Sequence, residues 1–168
     1  MDALFSFLSS IFTGSTFALL GSALAIGLAG SGSAKGVGIA GEAGAGLLSV
    51  APEHFGRVLV LQAIPGTQGI YGLLISFLIL FSDGVIEGTL PMIHGVGYLC
   101  AALPIAIAGY YSAIAQGRVS AAGVGIIATK PEEFMKGVIA AGLVETYAVL
   151  ALLISFLMYA NVPKLFVV

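Results

Sequence analysis

Charge is what this chain has least of: among 168 residues, 6 are Lys or Arg and 8 are Asp or Glu. That 8% share is about a third of what a water-soluble domain carries to cover its surface. With 59% hydrophobic residues and a mean hydropathy of +1.11, it excludes a soluble enzyme with a polar exterior. Lipid must solvate much of the surface. The few basic residues are scattered, which leaves no basic stripe and excludes a nucleic acid partner. So apolar a composition also excludes disorder. A single cysteine, Cys100, excludes an intrachain disulfide framework and a cysteine metal cluster, and in its apolar run it reads as a small packing residue. The chain has no Gly-x-x-x-x-Gly-Lys-Ser/Thr phosphate loop, so no nucleotide is expected on it.

What is present is a series of long charge-free intervals. Asp2 to Lys35 encloses 32 uncharged residues, Arg57 to Asp83 encloses 25, and Glu87 to Arg118 encloses 30. Lys136 to Lys164 encloses 27, interrupted only by Glu145. Each exceeds the roughly 20 residues that cross about 30 Å of hydrocarbon as helix. The expectation is an all-α membrane protein with four transmembrane helices. The first segment lacks a basic leader region and begins with Asp2, so no signal cleavage is expected and the mature chain should start near Met1. Lys35, Arg57, Arg118, Lys130 and Lys136 fall in the connections between spans 1 and 2 and between spans 3 and 4, against Lys164 alone on the other side. This asymmetry predicts a multi-pass protein of the cell membrane with those two loops cytoplasmic and both termini outside.

The chain repeats itself at an offset of 79. Gly44 to Phe55 lies over Gly123 to Phe134 with a shared Pro-Glu-x-Phe turn, and Leu73 to Leu78 lies over an identical Leu152 to Leu157. The expected fold is therefore one membrane domain of two tandem-duplicated helical hairpins, residues 1–85 and 86–168, in the same orientation, unlike an inverted repeat. The copies differ at one telling place. Gly66-Thr67 of the first faces Glu145-Thr146 of the second, so the intramembrane carboxylate occurs once per four helices.

A charged side chain inside a span costs roughly 2.5–3.5 kcal/mol on insertion scales, so Glu145 requires partners and points to function. With a turn at Lys130 and Pro131, Gln116 and Glu145 both lie about 21 Å from the turn, side by side. With a turn at Ala51 and Pro52, Thr67 and Gln68 share that depth to within one or two helical turns. Tyr71 is three residues past Gln68, on the same face. Pro65 cannot bond the carbonyl of Leu61 and disturbs neighbours such as Ile64, which frees backbone oxygen inside the membrane. One carboxylate, two amides, a hydroxyl and a phenol suit a small hard cation better than a proton, which needs only the acid and one acceptor. The neutral oxygens favour Na⁺ over H⁺, and Li⁺ would fit similar oxygens. Lys35, at the depth of Gln116, is the competing partner for Glu145 in a structural ion pair, with Glu42 its alternative neighbour. His94 reads as interfacial.

Gly30, Gly32, Gly36, Gly38, Gly41, Gly44 and Gly46 make span 1 thin, whereas Leu73, Leu74 and Phe77, with Leu152, Leu153 and Phe156, make spans 2 and 4 thick. Such hairpins are wedges, and wedges repeated in one orientation close into a ring with the thin helices inside.

The glycine-rich span with Gly32 to Gly36, the run Pro65 to Gly72, Ala115 to Gly117 and Val144 to Ala148 resemble the proteolipid (c or K) subunits of V-type ATPases, most of all the bacterial sodium-translocating form. The resemblance implies a Na⁺ site made by Glu145, Gln116, Thr67, Gln68 and the backbone carbonyl of Ile64, with Tyr71 locking the carboxylate. Ile64 stands where the family has leucine, which leaves the carbonyl in place. It also implies a rotor ring of identical subunits in the lipid bilayer, an arginine-bearing stator membrane subunit, a central-stalk subunit, and rotation driven by ATP hydrolysis in a soluble head. The chain itself would be non-catalytic. The competing readings are a proton-translocating ring of the same family and, in another class, a small four-helix proton-coupled exporter or channel.

Overall fold

The computed structural model describes residues 2–164; the expected start at Met1 and the last four residues of the second hairpin lie outside them. The described residues fold as α-helices α1 (Asp2–Ile11), α2 (Gly14–Leu48), α3 (Phe55–Ala63), α4 (Thr67–Leu80), α5 (Met92–Thr129) and α6 (Phe134–Asn161). Short 3₁₀ turns at Pro52–His54 and Pro131–Glu133 lead into α3 and α6, and a third at Ile64–Gly66 joins α3 to α4. Among the described residues four segments are long and apolar enough to cross a membrane: Gly14–Leu48, Pro52–Leu80, Met92–Thr129 and Pro131–Lys164. This is the expected number.

The helix ends differ from the charge gaps that suggested them. The first gap divides into two helices, because Thr13 adopts extended backbone and its hydroxyl accepts from the Thr16 amide at 3.2 Å, capping a new helix. From there α2 runs through Lys35 and Glu42 to Leu48, and α5 runs through Arg118 to Thr129. A charged side chain on an exposed face does not break backbone hydrogen bonding. The helices stop instead at Ala51-Pro52 and Lys130-Pro131, where proline lacks the amide to extend them and is suited to open the next turn.

Apolar side chains gain little by leaving lipid for protein, so contact must come from close packing and hydrogen bonds. Glycine provides the close packing. The middle of the bundle is α2 against α5, with α4 on α2 and α6 on α5. A Cβ on Gly117 would fall on the backbone of Gly36, one on Gly95 on the backbone of Gly14, and one on Gly32 would lie 2.6 Å from Tyr110 Cα. Between α5 and α6 a Cβ on Gly137 would lie 2.9 Å from Gly123 Cα. The bulk points outward: Ile70, Leu73, Leu74 and Phe77 of α4, with Leu150, Leu153 and Phe156 of α6, are exposed. Each hairpin thus pairs a thin helix with a thick one, as the sequence suggests. Cys100 does not pack inside: it lies on the exposed stripe of α5 with Val96, Leu103 and Ile107. The composition of its surroundings is equally apolar on both faces, so burial there was not readable from the chain.

Hydroxyls tie the layers where polar groups cannot reach water. Ser22 of α2 donates to the Ser76 carbonyl of α4 at 3.0 Å. Pro104 sits inside α5, and the amide of the next residue, Ile105, donates to Ser155 Oγ of α6 at 3.1 Å. In the connection before α5, Gly84 takes a φ of +78°, which a side chain would disfavour. Its carbonyl then accepts from the Thr89 and Leu90 amides and from Ser15 Oγ, each at 3.0 Å. Gly117→Val is expected to lower the melting temperature in detergent by forcing α2 from α5, an overpacking cost of about 1–3 kcal/mol. Gly125→Ala, whose added Cβ meets nothing within 4 Å, should leave the melting curve nearly unchanged.

Candidate ion-binding site

The break between α3 and α4 is the first element of the site. Pro65 sits at the start of the Ile64–Gly66 turn, and the chain resumes as α-helix at Thr67. The Ile64 carbonyl is not freed as the sequence suggested: it accepts the Thr67 amide within the 3₁₀ turn, and it also accepts from Thr67 Oγ1 at 3.0 Å. The same hydroxyl lies 3.4 Å from Gln68 Oε1. Its one proton serves the shorter bond. Three oxygens, from Ile64, Thr67 and Gln68, are thereby gathered within one turn of chain.

The second element comes from α5 and α6. Gln68 and Gln116 are both fully buried, and Gln68 Nε2 donates to Gln116 Oε1 at 2.7 Å. Gln116 Nε2 donates to the Ala141 carbonyl at 2.9 Å, which fixes α5 beside α6 one turn before Glu145. Both amide nitrogens are occupied by protein acceptors. In low dielectric an unpaired amide would cost more than the bond it forgoes, so these orientations are strongly held.

Glu145 completes the cluster. Tyr71 donates its hydroxyl to Glu145 Oε1 at 2.5 Å, a short bond of the charge-assisted kind. The carboxylate is half-buried, between the amides and a cleft of about 380 Å³ on the outer face of α6, lined by Gly142, Glu145, Thr146, Val149 and Leu150. The acid therefore lies between a polar interior and the lipid-facing side. Among the described residues no three His, Cys, Asp or Glu side chains gather in one place. The donor set is one carboxylate with neutral oxygens, which suits a monovalent cation or a proton rather than a transition metal.

The Ile64 carbonyl, Thr67, Gln68 and Gln116 thus form one run of polar contacts, and Tyr71 with Glu145 forms a second pair on α4 and α6, one turn past Gln68 and past the Ala141 carbonyl that holds Gln116. Lys35 stands apart from both. Its ammonium donates to the Tyr110 hydroxyl at 2.7 Å on an exposed face, so the ion pair with Glu145 considered above does not form. Among the described residues Glu42 makes no ion pair with Lys35. Tyr110 was the missing partner, and it lies 75 residues away in sequence, beyond what spacing reveals. His94 sits near the start of α5 beside a cavity of about 410 Å³ at that membrane end, shared with Ser82, Asp83 and Tyr159. Two serines escaped the sequence reading. Ser33 accepts from the Gly69 amide at 2.8 Å, and Ser112 contacts both Gln68 and the Val144 carbonyl. The signal for Ser112 was its place one turn before Gln116 on the same face of α5. Ser33 is its equivalent at the repeat offset.

Comparison with known proteins agrees with this architecture. The family model for the C-subunit of ATP synthase matches residues 20–79 and again residues 99–158, two copies separated by the same 79 residues found in the sequence. The chain is 51% identical over 148 residues to a V-type sodium ATPase subunit K of Enterococcus hirae, an alignment covering 88% of this chain and 93% of that one. It is 41% identical over 145 residues to an A-type ATP synthase subunit K of Methanocaldococcus jannaschii, covering 86% of this chain and 62% of the relative. With both repeats matched and the alignments spanning most of its length, the chain belongs to the ATP synthase C-subunit family, as a multi-pass membrane protein with two copies of the family's domain.

Proposed function

We propose that this chain is the rotor-ring subunit of a rotary V-type ATPase and that it carries one Na⁺ per subunit at Glu145. The observation that carries the reading is the convergence of Gln68, Gln116, Tyr71 and Glu145 from α4, α5 and α6 at one depth, where lipid would penalise every unpaired group. Identity of 51% to a sodium ATPase subunit K supports Na⁺ as the cargo. The ligands would be Glu145, Gln116 Oε1, Gln68 Oε1, Thr67 Oγ1 and the Ile64 carbonyl, with Tyr71 steadying the carboxylate. Li⁺ could use the same oxygens. The bond from Thr67 would yield to the ion, whereas those from Gln68, to Ala141 and from Tyr71 would stay, because the second lone pair of Gln116 Oε1 remains free for the cation.

In this reading the chain is a single membrane domain of two hairpins, residues 1–85 and 86–168, and is not itself a catalyst. Identical copies close into a ring through the glycine-rich faces of α2 and α5, leaving the bulky faces of α4 and α6 to lipid. An ion bound at Glu145 neutralises the carboxylate while it faces hydrocarbon. An arginine on a stator membrane subunit would compete for the carboxylate and release the ion. A central-stalk subunit would couple the ring to nucleotide hydrolysis in a soluble head, with no nucleotide on this chain. Lys35, Arg57, Arg118, Lys130 and Lys136 lie in the 3–4 turn or on the halves of the helices nearest the 1–2 and 3–4 turns, against Lys164 at the other end, which supports a cytoplasmic position for both turns and an outer position for the two termini. The second reading is a proton-translocating ring, in which a protonated Glu145 would still accept the Tyr71 hydroxyl on its carbonyl oxygen, by a weaker bond.

Carbodiimide should label the purified oligomer at Glu145, and millimolar Na⁺ should suppress the labelling while K⁺ does not; labelling that follows pH alone would make this a proton rotor. Glu145→Gln should assemble normally, since it removes only the charge, yet abolish Na⁺-stimulated ATP hydrolysis and Na⁺ uptake in vesicles. Tyr71→Phe removes a bond to a charged group, worth about 1.5–3 kcal/mol, and should raise the Na⁺ needed for half-maximal activity by roughly tenfold or more.

A further inference from the structure

Two buried carboxamides present oxygen toward the proposed ion only if neither is turned over, and a turned amide would offer the cation its NH₂ group. We propose that Ser112 is a positioning residue that fixes the orientation of the Gln68 amide; the inference rests on the sodium reading of this site. Ser112 is buried on α5, one turn before Gln116. Its hydroxyl donates to the Val144 carbonyl of α6 at 3.1 Å. A backbone carbonyl only accepts, so the single hydroxyl proton is committed to that bond. Toward α4, Ser112 Oγ is left as an acceptor, and the atom set against it is Gln68 Nε2 at 3.4 Å. The other Nε2 proton goes to Gln116 Oε1 at 2.7 Å. With both protons placed, Gln68 Oε1 is directed to the side of Thr67 Oγ1, 3.4 Å away.

Control of the amides comes from the helix backbones. The Ala141 carbonyl fixes the nitrogen of Gln116, and the Val144 carbonyl fixes the proton of Ser112. These two α6 carbonyls, one turn apart, determine which atom of each glutamine meets the other. A turned Gln68 amide would set its oxygen against Gln116 Oε1 and against a serine oxygen with no proton to give. Gln68 and Gln116 are fully buried, which leaves no water to relieve that clash. Ser112 also holds the carbonyl of the residue preceding Glu145, so it ties amide orientation to the position of the acid.

The test uses the full chain assembled in membrane, reading the Na⁺ concentration that half-protects Glu145 from carbodiimide, with melting temperature measured beside it. Ser112→Ala should raise that concentration roughly threefold to tenfold, the effect of losing one buried hydrogen bond. Ser112→Cys, nearly equal in volume but a weak donor and acceptor, should shift it in the same direction and serves if the alanine variant does not assemble. Ser76→Ala, which removes a buried hydroxyl bonded to Ser22 Oγ at 2.8 Å away from the site, should leave it unchanged. Unaltered protection in both Ser112 variants would overturn the proposal, as would an equal shift in Ser76→Ala, since that would be a general packing effect. Absence of Na⁺ protection in the unmodified protein would overturn the sodium reading itself, and this proposal with it.

Discussion

The polar site of this molecule answers to one constraint: hydrocarbon offers no hydrogen bonds, so a donor, acceptor or charge within it is costly unless it finds a partner in protein. Glu145 is the most expensive such group, and the architecture around it follows from that cost. The acid takes Tyr71, the amides take each other and the Ala141 carbonyl, and the carbonyl of Ile64 takes both the amide and the hydroxyl of Thr67. Glycine makes these partnerships possible, because hydroxyls and amides span only about 3 Å and bulky helices would hold their backbones too far apart. The same small residues that bring α2 and α5 into contact therefore set the reach of every polar side chain between them.

The repeat supplies two copies of each position, and the two copies meet different partners. Ser76 and Ser155 are equivalent at the repeat offset, yet one meets a serine of α2 and the other accepts the amide beside Pro104. Ser33 and Ser112 are likewise equivalent: one accepts a backbone amide, the other joins the glutamine network. In the first hairpin Gly66 stands where Glu145 stands in the second, and Val37 where Gln116 stands. The polar residues of the second hairpin therefore take their partners across the repeat, Gln116 from Gln68 and Glu145 from Tyr71.

The fold was legible in the chain because its signals are long: charge gaps, a repeat at 79 and prolines at the turns. Depth was legible too, since helical rise converts residue counts into distance, and that arithmetic brought Gln116, Glu145, Thr67, Gln68 and Tyr71 together. Azimuth was not. Which way Lys35 faces depends on how α2 is rotated against α5, a matter of glycine contacts far apart in sequence, and so its bond to Tyr110 was hidden. Cys100 escaped for the same reason. Helix ends were blurred because charged residues at exposed positions continue a helix instead of ending it, as Lys35, Glu42 and Arg118 do. Buried serines carry no compositional signal at all, being as compatible with silent packing as with the contacts Ser112 makes.

The polar cluster draws on both halves of the repeat, with Thr67, Gln68 and Tyr71 from the first hairpin and Gln116 and Glu145 from the second. Neither hairpin alone holds both the acid and the phenol that steadies it. Deleting either hairpin would therefore strand the complement on which the other depends, so the two-hairpin chain is the smallest unit that holds the whole cluster, set by a few oxygens and amide nitrogens in the middle of the membrane.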